Sequence, residues 1–173
     1  GIDLAQMLQG ALTDGKTARF QLIHQLTDLP YALEPSQMAA AVVRNARVRN
    51  VGTANLVAAS LLAGTKHLIA QSIGWAYRPE DGPWDEDCPL DLGATGSRAI
   101  TVGGVVALEE SVLRTPGLDG CALRHGELYG PGTGTSDRIG KRMPLHVEAA
   151  AWAAVLALEQ QAIGIFNLAE PQG

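Results

Sequence analysis

The chain has 173 residues, 46% of them hydrophobic, a net charge of −5 and a pI near 5.3. That length and apolar content suit one domain with a substantial core and exclude a disordered chain. The basic residues are scattered, as Arg44, Arg47 and Arg49 and then Arg138, Lys141 and Arg142, so no nucleic-acid partner is expected. Cys88 and Cys121 lie far apart without metal-ligand spacing, and no stretch resembles a signal peptide or a membrane span. A reduced, cytoplasmic protein with free thiols and no membrane contact is expected.

Asp3 can cap a short surface helix carrying Leu4, Met7, Leu8, Ala11 and Leu12, closed by Thr13-Asp14-Gly15. Arg19 to Leu26 reads as a buried strand broken by Asp28 and Pro30, with His24 as a packed histidine inside it. From Ser36, an N-cap candidate, a long alanine-rich helical pattern runs to Ala63, with Gly64 as its C-cap. Its small residues allow close approach on two sides. Lys66 to Tyr77, KHLIAQSIGWAY, is the central strand: an apolar β-run ending in a small polar cluster, where sites in open α/β sheets gather.

The stretch RPEDGPWDEDCPLDLGATG that follows has three prolines and six carboxylates and reads as a surface loop. It lacks the alternating ligands and the glycine of a calcium loop, so no metal is assigned. Ser97 to Leu113 is helical, with Gly103 and Gly104 signalling close packing, and Gly120 to Leu128 is a strand entering the turn-rich loop Tyr129 to Thr135. Pro144 to Leu158 is a last helix and Gly164 to Ala169 a last strand. The order predicts an α/β fold: a partial Rossmann-like, mainly parallel sheet flanked by helices, with right-handed crossovers, in one domain over residues 1–173.

Three catalytic motifs fail on spacing or context. Gly134 to Lys141 is one residue too long for a phosphate loop and lacks a following Ser or Thr. His146-Val147-Glu148 has no Pro-Cys-x-x-Cys to complete a zinc deaminase. Ala70-Gln71-Ser72-Ile73-Gly74 resembles a nucleophile elbow, with Asp137 and His146 following in hydrolase order, but it leads into the acidic loop instead of a helix.

From about Phe20 onward the chain resembles the extended short-chain dehydrogenase/reductases, the NAD-dependent epimerase/dehydratase group. The resemblance rests on QLIHQLTD, GTANLVAA, HLIAQSIGWAY, ALEESVL, LRHGELYGPGTGT, PLHVEAAAWA and GIFNLAEP, the last three being the more specific. It implies NAD or NADP as cofactor, a sugar-nucleotide or small carbonyl or hydroxyl substrate, and a homodimer through the helices at 36–63 and 97–113. It also places the start of the chain near the family's third helix, so the first three strands, their Gly-x-x-Gly-x-x-Gly turn and the C-terminal extension are expected to be missing. Thr101 falls where the family's tyrosine acid/base stands, Val105 where its lysine stands, Ile73 at the serine position beside Ser72, and Arg49 at the helix asparagine beside Asn50.

Candidate catalytic residues are therefore Ser72, His125, His146 and Thr101, with Gln25, Thr27, Trp75, Arg124 and Tyr129 as substrate- or cofactor-binding candidates at one end of the sheet. Two further readings follow from the lost tyrosine and lysine. One is a non-catalytic dimeric binding or scaffold protein; the other is a cofactor-independent cyclase, isomerase or hydrolase using His125, His146 or Ser72.

Overall fold

The computed structural model describes residues 21–29, 34–79, 83–137 and 143–170. The expected helix near Asp3 and the first two residues of the first predicted strand lie outside them, and that strand ends at His24, two residues before the expected Leu26. Four parallel strands form the sheet in the order β1-β2-β3-β6: β1 (Gln21–His24), β2 (His67–Ile73), β3 (Asp119–His125) and β6 (Gly164–Leu168). The register joins His24 to Ala70, Ser72 to Arg124 and Arg124 to Asn167, so the four carboxyl ends lie along one edge.

The long helical pattern is one rod in three parts: α1 (Met38–Arg47), a π-helical turn (Val48–Gly52) and α2 (Thr53–Leu62). Ser36 is not its cap. A 3-10 turn, Pro35–Gln37, precedes α1, and the capping position falls on Gln37 without a side-chain hydrogen bond. The rod ends as expected, with Gly64 at φ +72, a conformation that costs glycine nothing. α3 (Gly96–Leu113) lies beside it, and a Cβ on Gly104 would sit 3.1 Å from Ala46 Cα, whereas one on Gly103 would meet nothing within 4 Å, so the close packing expected of the pair belongs to Gly104 alone.

The two sheet faces are covered differently. Leu68 and Ala70 of β2 pack with Val57 of α2 and Leu108 and Val112 of α3, whereas Ile69, Cys121 and Leu123 pack with Ala154 and Ala157 of α4 (Val147–Glu159). Alternate strand residues face opposite sides, so α3 and α4 lie on opposite faces although β2 to β3 and β3 to β6 step the same way across the sheet. The last crossover therefore has the opposite hand to the one through α3. This corrects the expectation of uniformly right-handed connections: the apolar Ala-rich stripe of α4 is matched to the odd-numbered side of β2 and β3.

Two further strands were read otherwise from sequence. Gly126 breaks the strand predicted over 120–128, and β4 (Glu127–Tyr129) pairs in parallel with β5 (Pro144–His146), which the periodicity had assigned to the last helix. α4 begins only at Val147, with His146 as its N-cap accepting from the Glu148 amide.

Candidate functional site

A cavity of about 240 Å³ opens beyond the carboxyl end of β2, lined by Gly74, Trp75, Tyr77, Trp84, Arg98, Glu127 and Met143 among others. After Ile73 the chain makes a 3-10 turn, Gly74–Ala76, and Tyr77 then bridges to Leu90, so the residues following the strand fold back as a wall. Gly74 lets Met143 close over it: a Cβ there would lie 2.7 Å from Met143 Cε. Arg98, from the first turn of α3, holds the wall in place. Its Nε donates to Asp91 Oδ2 at 2.6 Å, and its two terminal nitrogens donate to the carbonyls of Trp75 and Tyr77.

Behind the wall lies a buried polar network. Arg124 donates through Nε and a terminal nitrogen to both oxygens of Glu109, at 2.9 and 2.8 Å, and through the other terminal nitrogen to the Tyr77 hydroxyl at 2.7 Å. Ser72 Oγ donates to the same Glu109 at 2.7 Å, and Tyr77 donates to Asn167 Oδ1 at 2.6 Å. Burial alone would lower the Arg124 pKa, but the hydrogen bonds from Glu109 and Tyr77 outweigh it and hold the guanidinium firmly charged. Tyr77 moves upward because burial disfavours its phenolate. The acidic loop is tied in here too, with Glu86 accepting from the Asn167 amide at 2.7 Å and Trp84 stacked on Tyr77. Such a bidentate pair, satisfied on all sides, fixes geometry more than it adds stability.

The residues expected from sequence do not share one place. Trp75 lines the cavity. Ser72 is fully buried and committed to Glu109, and Arg124 faces a second cavity of about 220 Å³ beneath α3. Thr101 donates back to the Ser97 carbonyl within its own helix, and Val105 is packed among Ile73, Ala76 and Val102. His125, on the opposite face, is 2% exposed with neither ring nitrogen bonded among the described residues, and burial pushes its pKa down to about 4. His146, Tyr129 and Glu170 form a separate cluster: the Tyr129 hydroxyl donates to both Glu170 oxygens and its ring meets the His146 ring edge-on at 5.0 Å. Gln25 is exposed just past β1, while Thr27 Oγ1 donates to Asn45 Oδ1 at 2.9 Å.

Sequence reading missed Gly74, Tyr77, Trp84, Arg98, Glu127 and Met143 as cavity residues. A signal existed for the first two, since both stand in the stretch that closes the central strand. Glu127 and Met143 come together only because β4 and β5 pair. Among the described residues no cluster has the side chains to hold a metal ion, and no helix is long and apolar enough to cross a membrane. Cys88 and Cys121 are free thiols, the latter raised to about 11 by burial.

No protein-family profile matches the chain. A 3-diazoavenalumate denitrifying reductase from a Streptomyces species is 38% identical over 171 residues, a match covering 87% of this chain and 55% of that protein. The chain thus spans little more than half the length of this relative. Among solved structures, a dTDP-glucose 4,6-dehydratase from Streptomyces venezuelae with NAD bound superposes with a TM-score of 0.68 at 19% identity, over 95% of this chain and 55% of that one. A UDP-glucose 4-epimerase from Thermus thermophilus in complex with NAD gives 0.63 at 21% identity, over 90% and 58%. The four-stranded parallel sheet and its flanking helices have the fold of the extended short-chain dehydrogenase/reductases, the NAD-dependent epimerase/dehydratase group.

Proposed function

We propose that this chain is part of an NAD(P)-dependent enzyme of the epimerase, dehydratase or reductase type, acting on a sugar nucleotide or a small carbonyl or hydroxyl compound. The observation that carries this is the 38% identity to a reductase over 87% of the chain. The cavity at the carboxyl end of β2 agrees with it, because ligands of open parallel sheets sit there. A nicotinamide dinucleotide bound at this edge supplies or accepts a hydride.

The residues present fit such a ligand in part. Trp75, Tyr77, Trp84 and Met143 give a flat apolar wall that would seat a planar ring and exclude water, and Gly74 leaves the room that Met143 fills in it. Thr101 and Val105 supply no tyrosine and lysine pair for proton transfer. Glu127 is a carboxylate lining the cavity whose side chain could take or give a proton at that wall. Exposed Val43, Val51 and Ile100 on the rod and α3 support a homodimer through these helices.

The lost pair also favours a second reading, a dimeric binding protein without redox chemistry. Tryptophan fluorescence separates the two. With Trp75 and Trp84 in the wall, titrating NADPH or NADH is expected to quench the protein emission saturably, and Trp84→Phe to reduce that quench. Emission unchanged at millimolar cofactor would leave the binding-protein reading.

A further inference from the structure

One charged side chain at the strand ends has no counterpart among the described residues. Arg49 is 9% exposed, and no hydrogen bond or ion pair joins it to another described residue. It sits in the π-helical turn Val48–Gly52, a rare local geometry that recurs at functional sites. The sheet-facing stripe of the rod reads Asn45, Arg49, Thr53 and Val57, four residues apart. Its ends are fixed by contacts: Val57 lies in the apolar core with Leu68 and Ala70, and Thr53 Oγ1 meets Nε2 of His24, the last residue of β1, at 2.9 Å. Asn45 Oδ1 accepts from Thr27 and from the Asp28 amide in the loop after β1. Arg49 therefore lies between these levels, over the carboxyl end of β1, where β2 runs on three residues past the His24–Ala70 pairing.

Among the described residues the nearby groups offer it no free countercharge. His24 is kept neutral by burial and by the Arg49 charge itself. Asp28, the carboxylate of the adjoining loop, is engaged by Arg44 on the exposed side at 3.2 Å. The Arg49 nitrogens are not sealed from solvent, so an anion can reach the guanidinium, and its planar fork matches phosphate and carboxylate oxygens.

We propose that Arg49 anchors an anion site in the crevice at the carboxyl end of β1, binding a phosphate or carboxylate group of the ligand. This rests on the proposed function only for the location of the ligand crevice, not for the cofactor. The group is either a phosphate of a dinucleotide or sugar nucleotide, or a carboxylate of a small acid substrate.

Two probes distinguish the sources: inorganic pyrophosphate and benzoate, each titrated by calorimetry into the whole chain at low salt. Saturable pyrophosphate binding that weakens at least tenfold in Arg49→Gln, is retained in Arg49→Lys and is unchanged in Arg44→Gln supports a phosphate site. The same pattern with benzoate alone supports a carboxylate site. Thermal unfolding gives a second readout that does not depend on the heat of binding: the probe raises the midpoint of the wild type but not of Arg49→Gln, while Arg49→Gln without probe is at least as stable as wild type. No saturable binding of either probe, equal binding by Arg49→Gln, or an equal loss in Arg44→Gln overturns the proposal. NADPH quenching with an unaffected Arg49→Gln would sink this inference and leave the proposed function standing; Arg49-dependent pyrophosphate binding without a cofactor response would do the reverse.

Discussion

Removing the imidazole of His125 is expected to flatten the acid limb of the stability profile. His125 is buried at the end of β3 with both ring nitrogens unbonded among the described residues, and its pKa falls to about 4 from 6.5. A folded value below the unfolded one means that the unfolded chain binds the proton more readily. The stabilising effect is complete above pH 6.5 and is lost as pH falls towards 4. The gap corresponds to about 3 kcal/mol in all, at about 1.4 kcal/mol per pH unit, of which about 2 kcal/mol is lost between pH 7.5 and pH 5. Urea unfolding of wild type and His125→Leu at several pH values in that window measures it. His24 and the carboxylates titrate in both proteins and cancel in the difference. The wild type should lose about 2 kcal/mol more than the variant; parallel profiles would refute the buried, uncompensated histidine.

Two more outcomes follow from the site. Glu109→Gln strands the Arg124 charge behind the cavity wall, so a loss of about 3–5 kcal/mol is expected in urea unfolding, recovered in large part by Glu109→Leu with Arg124→Met; an unchanged midpoint for the single variant would contradict the network. Gly126→Ala would place a Cβ 2.1 Å from the Met143 carbonyl, so β4 and β5 must separate, whereas Gly74→Ala meets only the flexible end of Met143. Gly126→Ala should therefore unfold at a clearly lower temperature than Gly74→Ala; equal midpoints would argue against the β4–β5 pairing.

Much of the sheet was legible because its strands are short apolar runs bounded by turn residues. HLIAQSI and GCALRH are each buried on two faces and leave no competing helical period. Pro144–His146 was not legible: three residues of parallel pairing are too few to register beside the strong helical pattern that follows. The crossover hand was hidden for another reason, since Ala154 and Ala157 could pack on either face and only the pairing with Cys121 and Leu123 decides. Of the cavity, Trp75 alone was anticipated. Arg98 and Glu127 gain their places through contacts with Asp91 and through β4, and Arg124 pairs with Glu109, fifteen residues away on α3, for which no local pattern exists.

On the proposed function, the edge above β2 is part of a nicotinamide dinucleotide site. Calorimetric titration of NAD and NADP into the chain, with its intact mass and oligomeric state verified, tests it most directly. Micromolar binding of one of them, near −8 kcal/mol, is the predicted result. No heat of binding at millimolar concentrations of either would contradict it.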